Sequence, residues 1–234
     1  GTIFNINQSG NINWKKNIYR KIYKKIYKNL VFSIYKNNIY IADNIGFIYS
    51  ISLDSGKLLW IKNYNIPLRS NIKIFDDKIY LIDQDNRILC LSIKDGTKIW
   101  DILAISSFIK SQNLLSLAVS KKGDLVAITS SSDLFKIEGD SGNLSWVSNT
   151  FGSILADATD FFKSSQVVIT DDEVIISAGP TIFSYNLNIG SIIWENELSS
   201  IGTPIIDGEN IFLVTENGYF VIINRNTGKI ISST

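Results

Sequence analysis

The chain has 234 residues, of which 45% are hydrophobic and 12% aromatic, and its formal net charge is +1. It has no histidine and a single cysteine, Cys90, so an intrachain disulfide and His-dependent nucleophilic catalysis are excluded. Zinc and most transition metals lose their usual ligands for the same reason. No apolar run reaches the length of about 18 residues that a membrane-spanning helix needs.

The first predicted element is a strand pair that ends in the string QSGNINW, residues 8–14. The spacing Gly-x-x-x-Trp then recurs about every 40 residues, which indicates an array of one structural unit. All five tryptophans occupy this position: Trp14, Trp60, Trp100, Trp146 and Trp194. The glycines are Gly10, Gly56, Gly96, Gly142, Gly190 and Gly228, and the last copy has Ser232 in place of tryptophan.

A basic segment, residues 15–28, follows the first copy. Residues 1–42 contain eight Lys or Arg and no acidic residue. Ile18, Ile22 and Ile26 would share one face of a short amphipathic helix, while the β-branched content equally suits an irregular strand. The segment is either a solvated connection or a peripheral contact with an anionic membrane surface. Nucleic acid binding is the least favoured interpretation.

Each later copy reads as four short strands separated by Asn, Asp, Gly and Ser turns. In the second copy we predict strands at Leu30–Tyr35, Asn38–Ala42, Phe47–Ser52 and Lys57–Ile61. The fold class predicted is therefore all-β, a β-propeller of four-stranded antiparallel blades with about five and a half blades present. The repeated tryptophans are expected to pack between blades, and each glycine to permit a tight turn.

The string SISLDSGKLLW, residues 50–60, resembles the repeat motif of the quinoprotein-like (PQQ-repeat) β-propeller family. Within that family, residues 65–100 are similar to the BamB family of outer-membrane β-barrel assembly lipoproteins. The resemblance implies a scaffold on the periplasmic side of the outer membrane, although no signal peptide is visible in the chain. It also implies binding to the barrel-assembly protein and to unfolded outer-membrane proteins, with Leu68 and Arg69 as an exposed docking pair.

Two other functions remain open, a general protein-binding or sensor propeller and, less favoured, a fragment of a quinone-dependent dehydrogenase. Such dehydrogenases hold a calcium ion and often carry neighbouring cysteines, and the family's motif Asp is replaced in every later copy. The replacements are Ser52, Ser92, Glu138, Asn186 and Asn224. We therefore expect no enzyme activity, no cofactor and no metal. A lipid-attachment cysteine in the full-length gene would favour the assembly scaffold.

Three local features have both structural and functional interpretations. Cys90 is expected to be a small buried hydrophobe. Asp171, Asp172 and Glu173 are expected to form a strand-connecting turn. The long insertion at 147–166, with Asp157, Asp160, Phe161 and Phe162, is either a packed loop or a partner-binding loop.

Ring closure is open at this point, because the first copy supplies only the two outer strands of a blade. We expect residues 1–234 to form one propeller domain that is a segment of a longer, seven- or eight-bladed protein. The alternatives are an open edge that a second copy pairs and a closed ring of six blades.

Overall fold

A computed structural model describes residues 2–19, 23, 25–103, 115–150, 164–200 and 202–234. These residues contain 22 β-strands. The first eleven are β1 (Thr2–Ile6), β2 (Ile12–Asn17), β3 (Leu30–Tyr35), β4 (Asn38–Asp43), β5 (Phe47–Ser52), β6 (Leu58–Asn63), β7 (Lys73–Phe75), β8 (Lys78–Ile82), β9 (Arg87–Ser92), β10 (Lys98–Leu103) and β11 (Leu117–Val119). The others are β12 (Leu125–Ile128), β13 (Asp133–Ile137), β14 (Leu144–Asn149), β15 (Val168–Ile169), β16 (Glu173–Ala178), β17 (Thr181–Asn186), β18 (Ile192–Asn196), β19 (Ile205–Asp207), β20 (Asn210–Val214), β21 (Phe220–Asn224) and β22 (Ile230–Ser233).

The strands form one two-stranded sheet, β1-β2, and five four-stranded sheets in which the strands pair in chain order. We call these sheets blades 1 to 6, from β1-β2 to β19-β22. The predicted all-β propeller blades are confirmed, and so is the incomplete first copy. In blade 2 the first and third predicted strands match β3 and β5, whereas β4 and β6 extend past the prediction to Asp43 and Asn63.

The core lies between neighbouring blades rather than inside any one sheet. The second and third strands of blades 2 to 5 are almost wholly buried, as in Ile41, Leu81 and Ile176, each 0% exposed. Their side chains point alternately to the two faces of the sheet, so one blade contributes to two separate clusters. Ile41 packs toward blade 1 and Tyr40 toward blade 3. Burial of apolar side chains on both faces therefore joins the blades into an array.

A β-bulge in the last strand of every blade follows the repeated glycine. In blade 2, Ile51 pairs with Leu58 and Ser50 pairs with Trp60, so Leu59 is the extra residue. The same register shift lies at this pair of strands in all six blades. A bulge re-aims the side chain that follows it, and here that side chain is the tryptophan in blades 1 to 5 and Ser232 in blade 6.

Each tryptophan closes the seam with the following blade. A Cβ added at the glycine of the next blade would lie between 2.5 and 2.8 Å from an indole ring atom, so only glycine fits. The pairs are Trp14 with Gly56, Trp60 with Gly96, Trp100 with Gly142, Trp146 with Gly190, and Trp194 with Gly228. Each indole Nε1 also donates a hydrogen bond of 2.6 to 3.1 Å to a carbonyl three residues before that glycine. The expected packing role is confirmed, and the glycine is the partner surface as well as the turn residue.

The described residues of the basic segment do not form an α-helix. Lys15, Lys16 and Asn17 belong to β2, and the described residues from 18 to 29 include no α-helical residue. Ile18 packs against the cluster between blades 1 and 2, while Ile26 is 48% exposed, so these two residues do not share one buried face as the helical alternative requires. Ile22 lies outside the described residues.

The three local features have different outcomes. Cys90 is 0% exposed, as expected, and its burial raises the pKa of the thiol to about 12. Asp171 and Asp172 lie in the turn between β15 and β16, as expected. The insertion begins later than expected, because β14 continues to Asn149, and its Asp157, Asp160, Phe161 and Phe162 lie outside the described residues. Among the residues with a described structure, no helix has the length and apolarity to cross a membrane.

Candidate docking site

The predicted docking pair lies in the connection between β6 and β7, residues 64–72. In an antiparallel meander, the links between blades lie at the same end as the turn between second and third strands. We call this end the connection face and the opposite end, with the other hairpin turns, the hairpin face. The Gln84 N–H donates to the Pro67 carbonyl at 2.8 Å, which places the connection directly beside the β8–β9 turn.

Leu68 is not a surface residue, so the expected exposed pair is wrong for this position. Only 4% of Leu68 is exposed, and the residue forms an isolated bridge with Asp83. Its N–H donates to the Asp43 carbonyl of blade 2 at 3.3 Å. The side chain packs into the cluster between blades 2 and 3, so Leu68 anchors the connection from beneath.

Arg69 follows directly and is partly exposed at the connection face. Its N–H donates to the Ile82 carbonyl at 2.8 Å, and its own carbonyl accepts from the Leu115 N–H of blade 4 at 2.5 Å. The guanidinium reaches Gln84 Oε1 at 3.4 Å, while Nε is buried and has no hydrogen-bond partner within the described part of the chain. A fixed backbone thus presents a guanidinium with unused donor capacity.

The turn beside Arg69 is rigid. Asp83 is 2% exposed, and its Oδ1 accepts from the Asp85 and Arg87 N–H groups at 2.8 and 3.0 Å. Burial raises the pKa of the Asp83 carboxyl above its usual value. Asn86, with φ of 62°, bonds through its side chain to Ser130 of blade 4. These contacts hold the turns of blades 3 and 4 in one arrangement.

An aromatic recess lies on the same face, between blades 1 and 2, and sequence reasoning did not identify it. Tyr19, Tyr23, Phe47 and Tyr49 line a cavity of about 300 Å³. The Tyr23 and Phe47 rings meet edge to face with centroids 5.2 Å apart. The Tyr19 hydroxyl donates to buried Asp43, and burial followed by this bond raises the pKa of Tyr19.

A lysine from the basic segment covers part of the recess. Lys28 Nζ lies 4.6 Å from the centroid of the Tyr19 ring and donates to the Ile26 carbonyl at 2.6 Å. The ammonium therefore makes a cation–π contact that joins the end of the segment to Tyr19 near its start. The first two Ile-Tyr pairs of the segment are the sequence signal for this recess, because Ile18, Tyr19 and Tyr23 line it, whereas Tyr27 is exposed.

The connection face thus offers a guanidinium and an aromatic recess on rigid turns. In the described ranges, no three His, Cys, Asp or Glu side chains are grouped closely enough to hold a metal ion. The chemistry available at this face is hydrogen bonding, charge pairing and apolar contact, which are the contacts of a binding surface.

Four-stranded meander blades, a Gly-x-x-x-Trp repeat and indole-sealed seams define the chain as a quinoprotein-like β-propeller. The profile of the family described as "Outer membrane protein assembly factor BamB" matches residues 1–234, so the chain belongs to this family.

Two comparisons with members of this family agree. The chain is 22% identical over 232 residues to the outer membrane protein assembly factor BamB of Moranella endobia, covering 88% of this chain and 57% of that protein. It therefore spans little more than half the length of this relative. The crystal structure of BamB from Moraxella catarrhalis superposes with a TM-score of 0.81 at 14% identity, covering 100% of this chain and 70% of that one.

An enzyme shares the fold at lower similarity. The quinohemoprotein alcohol dehydrogenase of Comamonas testosteroni superposes with a TM-score of 0.65 at 12% identity, covering 87% of this chain and 42% of that chain. A likeness of this degree describes the fold and carries no statement about activity.

Proposed function

We propose that the chain is a scaffold without catalytic activity that binds the barrel-assembly protein and assists outer-membrane β-barrel assembly. The observation that carries the proposal is the family match over all 234 residues. The relative from Moranella endobia is itself named an outer membrane protein assembly factor. A location on the periplasmic side of the outer membrane follows from the same relationship.

Arg69 is the residue that we assign to docking. It is partly exposed, its backbone is fixed by blades 3 and 4, and its guanidinium retains donors for a partner carboxylate or carbonyl. Leu68 acts indirectly on docking, because its buried side chain packs between blades 2 and 3 and thereby positions the connection that carries Arg69. Arginine is enriched among the residues that contribute most to the binding energy of protein interfaces.

Unfolded outer-membrane proteins are assigned to the aromatic recess and the basic segment beside it. Tyrosine and phenylalanine rings offer large contact areas at low cost in conformational entropy. Lys28 places positive charge beside the recess, and the basic composition of residues 15–28 also suits peripheral contact with an anionic membrane surface.

Absence of catalysis is part of the proposal, and the repeat supports it. The backbone carbonyls of all five residues at the family's Asp position accept the N–H of the repeat glycine; these residues are Ser52, Ser92, Glu138, Asn186 and Asn224. These positions serve the turn that carries the bulge. A vicinal cysteine pair is also impossible in a chain with one cysteine.

The test is a pull-down of purified barrel-assembly protein by wild type, Arg69→Glu and Lys57→Glu. Lys57 is exposed on the hairpin face, so its variant makes the same charge change far from the connection. We expect wild type and Lys57→Glu to capture the partner equally. Arg69→Glu should capture it at least about tenfold more weakly, since breaking a charged interface contact typically costs about 2 kcal/mol or more.

Leu68→Ala distinguishes a surface contact from a structural one. Loss of a buried leucine typically costs about 2–5 kcal/mol of folding stability, so this variant should lower the denaturation midpoint, whereas Arg69→Glu should not. Equal capture by Arg69→Glu and wild type would remove docking from this face. Failure of the wild type to capture the partner would contradict the assembly function itself.

A further inference from the structure

A second cavity lies between blades 2 and 3 and opens at the hairpin face, away from the candidate docking site. Its volume is about 270 Å³, and Tyr40 and Trp60 form its aromatic walls with ring centroids 6.1 Å apart. An apolar protein cavity of about 150 Å³ is sufficient to hold benzene. The space is therefore large enough for one substituted aromatic ring.

Ser50 stands at the base of this cavity with an unused hydroxyl. The residue is 1% exposed, and Oγ has no hydrogen-bond partner among the described residues. A buried hydroxyl without a partner lowers stability, so native structures usually satisfy it with a protein group, water or a ligand. Because Ser50 lines the cavity, a bound molecule can supply that partner.

The seams that follow blades 3 and 4 have different residues at the position that Ser50 occupies here. At the position opposite the tryptophan, blade 4 has Lys136, whose Nζ reaches Asp124 at 3.0 Å and fills the space. Blade 3 has Cys90 there, and its neighbour Tyr80 donates to the Gly139 carbonyl at 3.2 Å. Between blades 2 and 3 neither closing contact is present in the described structure.

The Tyr40 hydroxyl does not make the contact across the seam that Tyr80 makes in the next blade. It accepts a hydrogen bond from Asn38 Nδ2 at 3.4 Å, while the Trp60 indole donates to the Ile93 carbonyl at 3.1 Å. Ile93 has a side chain where the next seam has Gly139, and it contributes to the cavity wall. The opening is thus walled by Tyr40, Trp60 and Ile93.

The rim of the cavity is positively charged overall. Lys36 and Asp77 form an ion pair of 2.7 Å across the seam, with 64% and 57% of their side chains exposed. Lys94, also exposed, adds a second ammonium to the lining. Two cations and one anion favour an anionic group at the mouth, where the side chains can rearrange around it.

We propose that this cavity binds a single-ring aromatic carboxylate that has a hydroxyl group opposite the carboxylate. The ring lies against Tyr40 and Trp60, the hydroxyl exchanges a hydrogen bond with Ser50 Oγ, and the carboxylate faces Lys36 and Lys94. Each part of the ligand therefore meets a matching part of the cavity: apolar walls, a buried polar base and a basic rim. The site is independent of the proposed assembly function.

The experiment is a calorimetric titration with 4-hydroxybenzoate, benzoate and phenol. Relative to 4-hydroxybenzoate, benzoate lacks the hydroxyl and phenol lacks the carboxylate. A ligand of this size is expected to bind with a dissociation constant in roughly the millimolar range or below. We expect 4-hydroxybenzoate to bind about 3- to 10-fold more tightly than benzoate, the effect of one hydrogen bond. Phenol should bind more weakly than 4-hydroxybenzoate because it lacks the carboxylate.

The decisive variant is Ser50→Val, which replaces the hydroxyl with a methyl group and adds a second methyl group. It should bind 4-hydroxybenzoate and benzoate equally. Ser184→Val is the matched control, since Ser184 holds the same register position opposite Trp194, is also buried without a partner in the described structure, and lies in the seam between blades 5 and 6. This variant should keep the wild-type preference.

Two further measurements make the result unambiguous. Lys94→Gln should weaken the binding of both carboxylates several-fold and leave the binding of phenol unchanged. Ser50→Ala replaces Ser50→Val if thermal unfolding shows that the valine disturbs the fold. The proposal is overturned if wild type binds none of the three molecules at millimolar concentration. It is equally overturned if the preference for 4-hydroxybenzoate survives in Ser50→Val or disappears in Ser184→Val.

Discussion

Single residues in the repeat have two roles that the sequence shows only in part. The constant spacing of glycine and tryptophan predicts a packed ring and a tight turn, and both are present. The sequence cannot show that each ring lies on the glycine of the next copy, because that contact joins residues about 40 positions apart. The pairing depends on how neighbouring sheets face each other, which no local pattern encodes.

Replacement of Gly56 by alanine tests this pairing. Gly56 has φ of 64°, and an added Cβ would lie 2.7 Å from the Trp14 ring. Alanine there meets both left-handed backbone strain and a clash with a packed indole. We expect a loss of about 3 kcal/mol in the free energy of unfolding, measured by denaturant titration.

Gly10 is the matched control for Gly56. It also has a left-handed backbone, with φ of 82°, but no described atom lies within 4 Å of an added Cβ. Gly10→Ala should therefore cost only the backbone strain, about 1 kcal/mol. Equal losses in the two variants would mean that the indole contact contributes nothing to the glycine requirement.

At the scale of strands, alternating residues and turn signals predict element positions well but do not predict the bulges. The second blade matches within two residues at each boundary, because its turns use Asn, Asp and Gly at positions that need them. The bulged residue in the last strand is Leu59, Ser145 or Asn13 in different blades, so it has no residue signature. The repeated register shift became visible only through strand pairing.

An ion-pair cluster in blade 3 predicts a pH effect on one strand pair. Asp101 of β10 is 17% exposed and lies 2.6 Å from Lys98 Nζ, with Arg87 of β9 also bound to its carboxylate. The hydrogen bond from Lys98, followed by that from Arg87, lowers the pKa of the Asp101 carboxyl. A lowered folded-state pKa means stabilisation that is present above the unfolded value of about 3.9 and is lost as the pH falls through the folded value.

Asp101→Asn should therefore be less stable than wild type near pH 6 and equal to it at about pH 2. We expect a difference of at most about 1 kcal/mol near pH 6, because both cations are substantially exposed. Thermal or denaturant unfolding across this range measures it. Asp171, whose pKa is lowered by exposed Lys121, is the comparison, and Asp171→Asn should show a smaller pH-dependent difference. A constant gap at all pH values would show that the carboxylate charge is not responsible.

For the whole molecule, the sequence predicts the propeller architecture but not which residues lie at its surface. Repetition of one unit defines a propeller, since each copy must bury two apolar faces. Which linker residues reach the surface depends on neighbouring turns, and Leu68 is the example. Its sequence context suggests an exposed loop, yet the β8–β9 turn lies beside the connection and the side chain is buried.

An array held together by seams should exchange its amide hydrogens in a graded manner along the chain. Interior blades bury both faces, and Ile82 and Val126 of their second strands are 0% exposed. In blade 6 all four residues of β22 are exposed, and Ser232 replaces the tryptophan of the other copies. Local opening is easiest where few apolar contacts must be broken.

We expect the amides of β22 to exchange at least about tenfold faster than those of β10, which is the equivalent strand of blade 3 and retains Trp100. Both strands pair with only one neighbour in their sheets, so the comparison removes the effect of sheet position. Hydrogen exchange with mass spectrometry of the 234-residue chain measures both. Similar rates would mean that the six sheets open together, and that the seams couple the blades more strongly than nearest-neighbour packing explains.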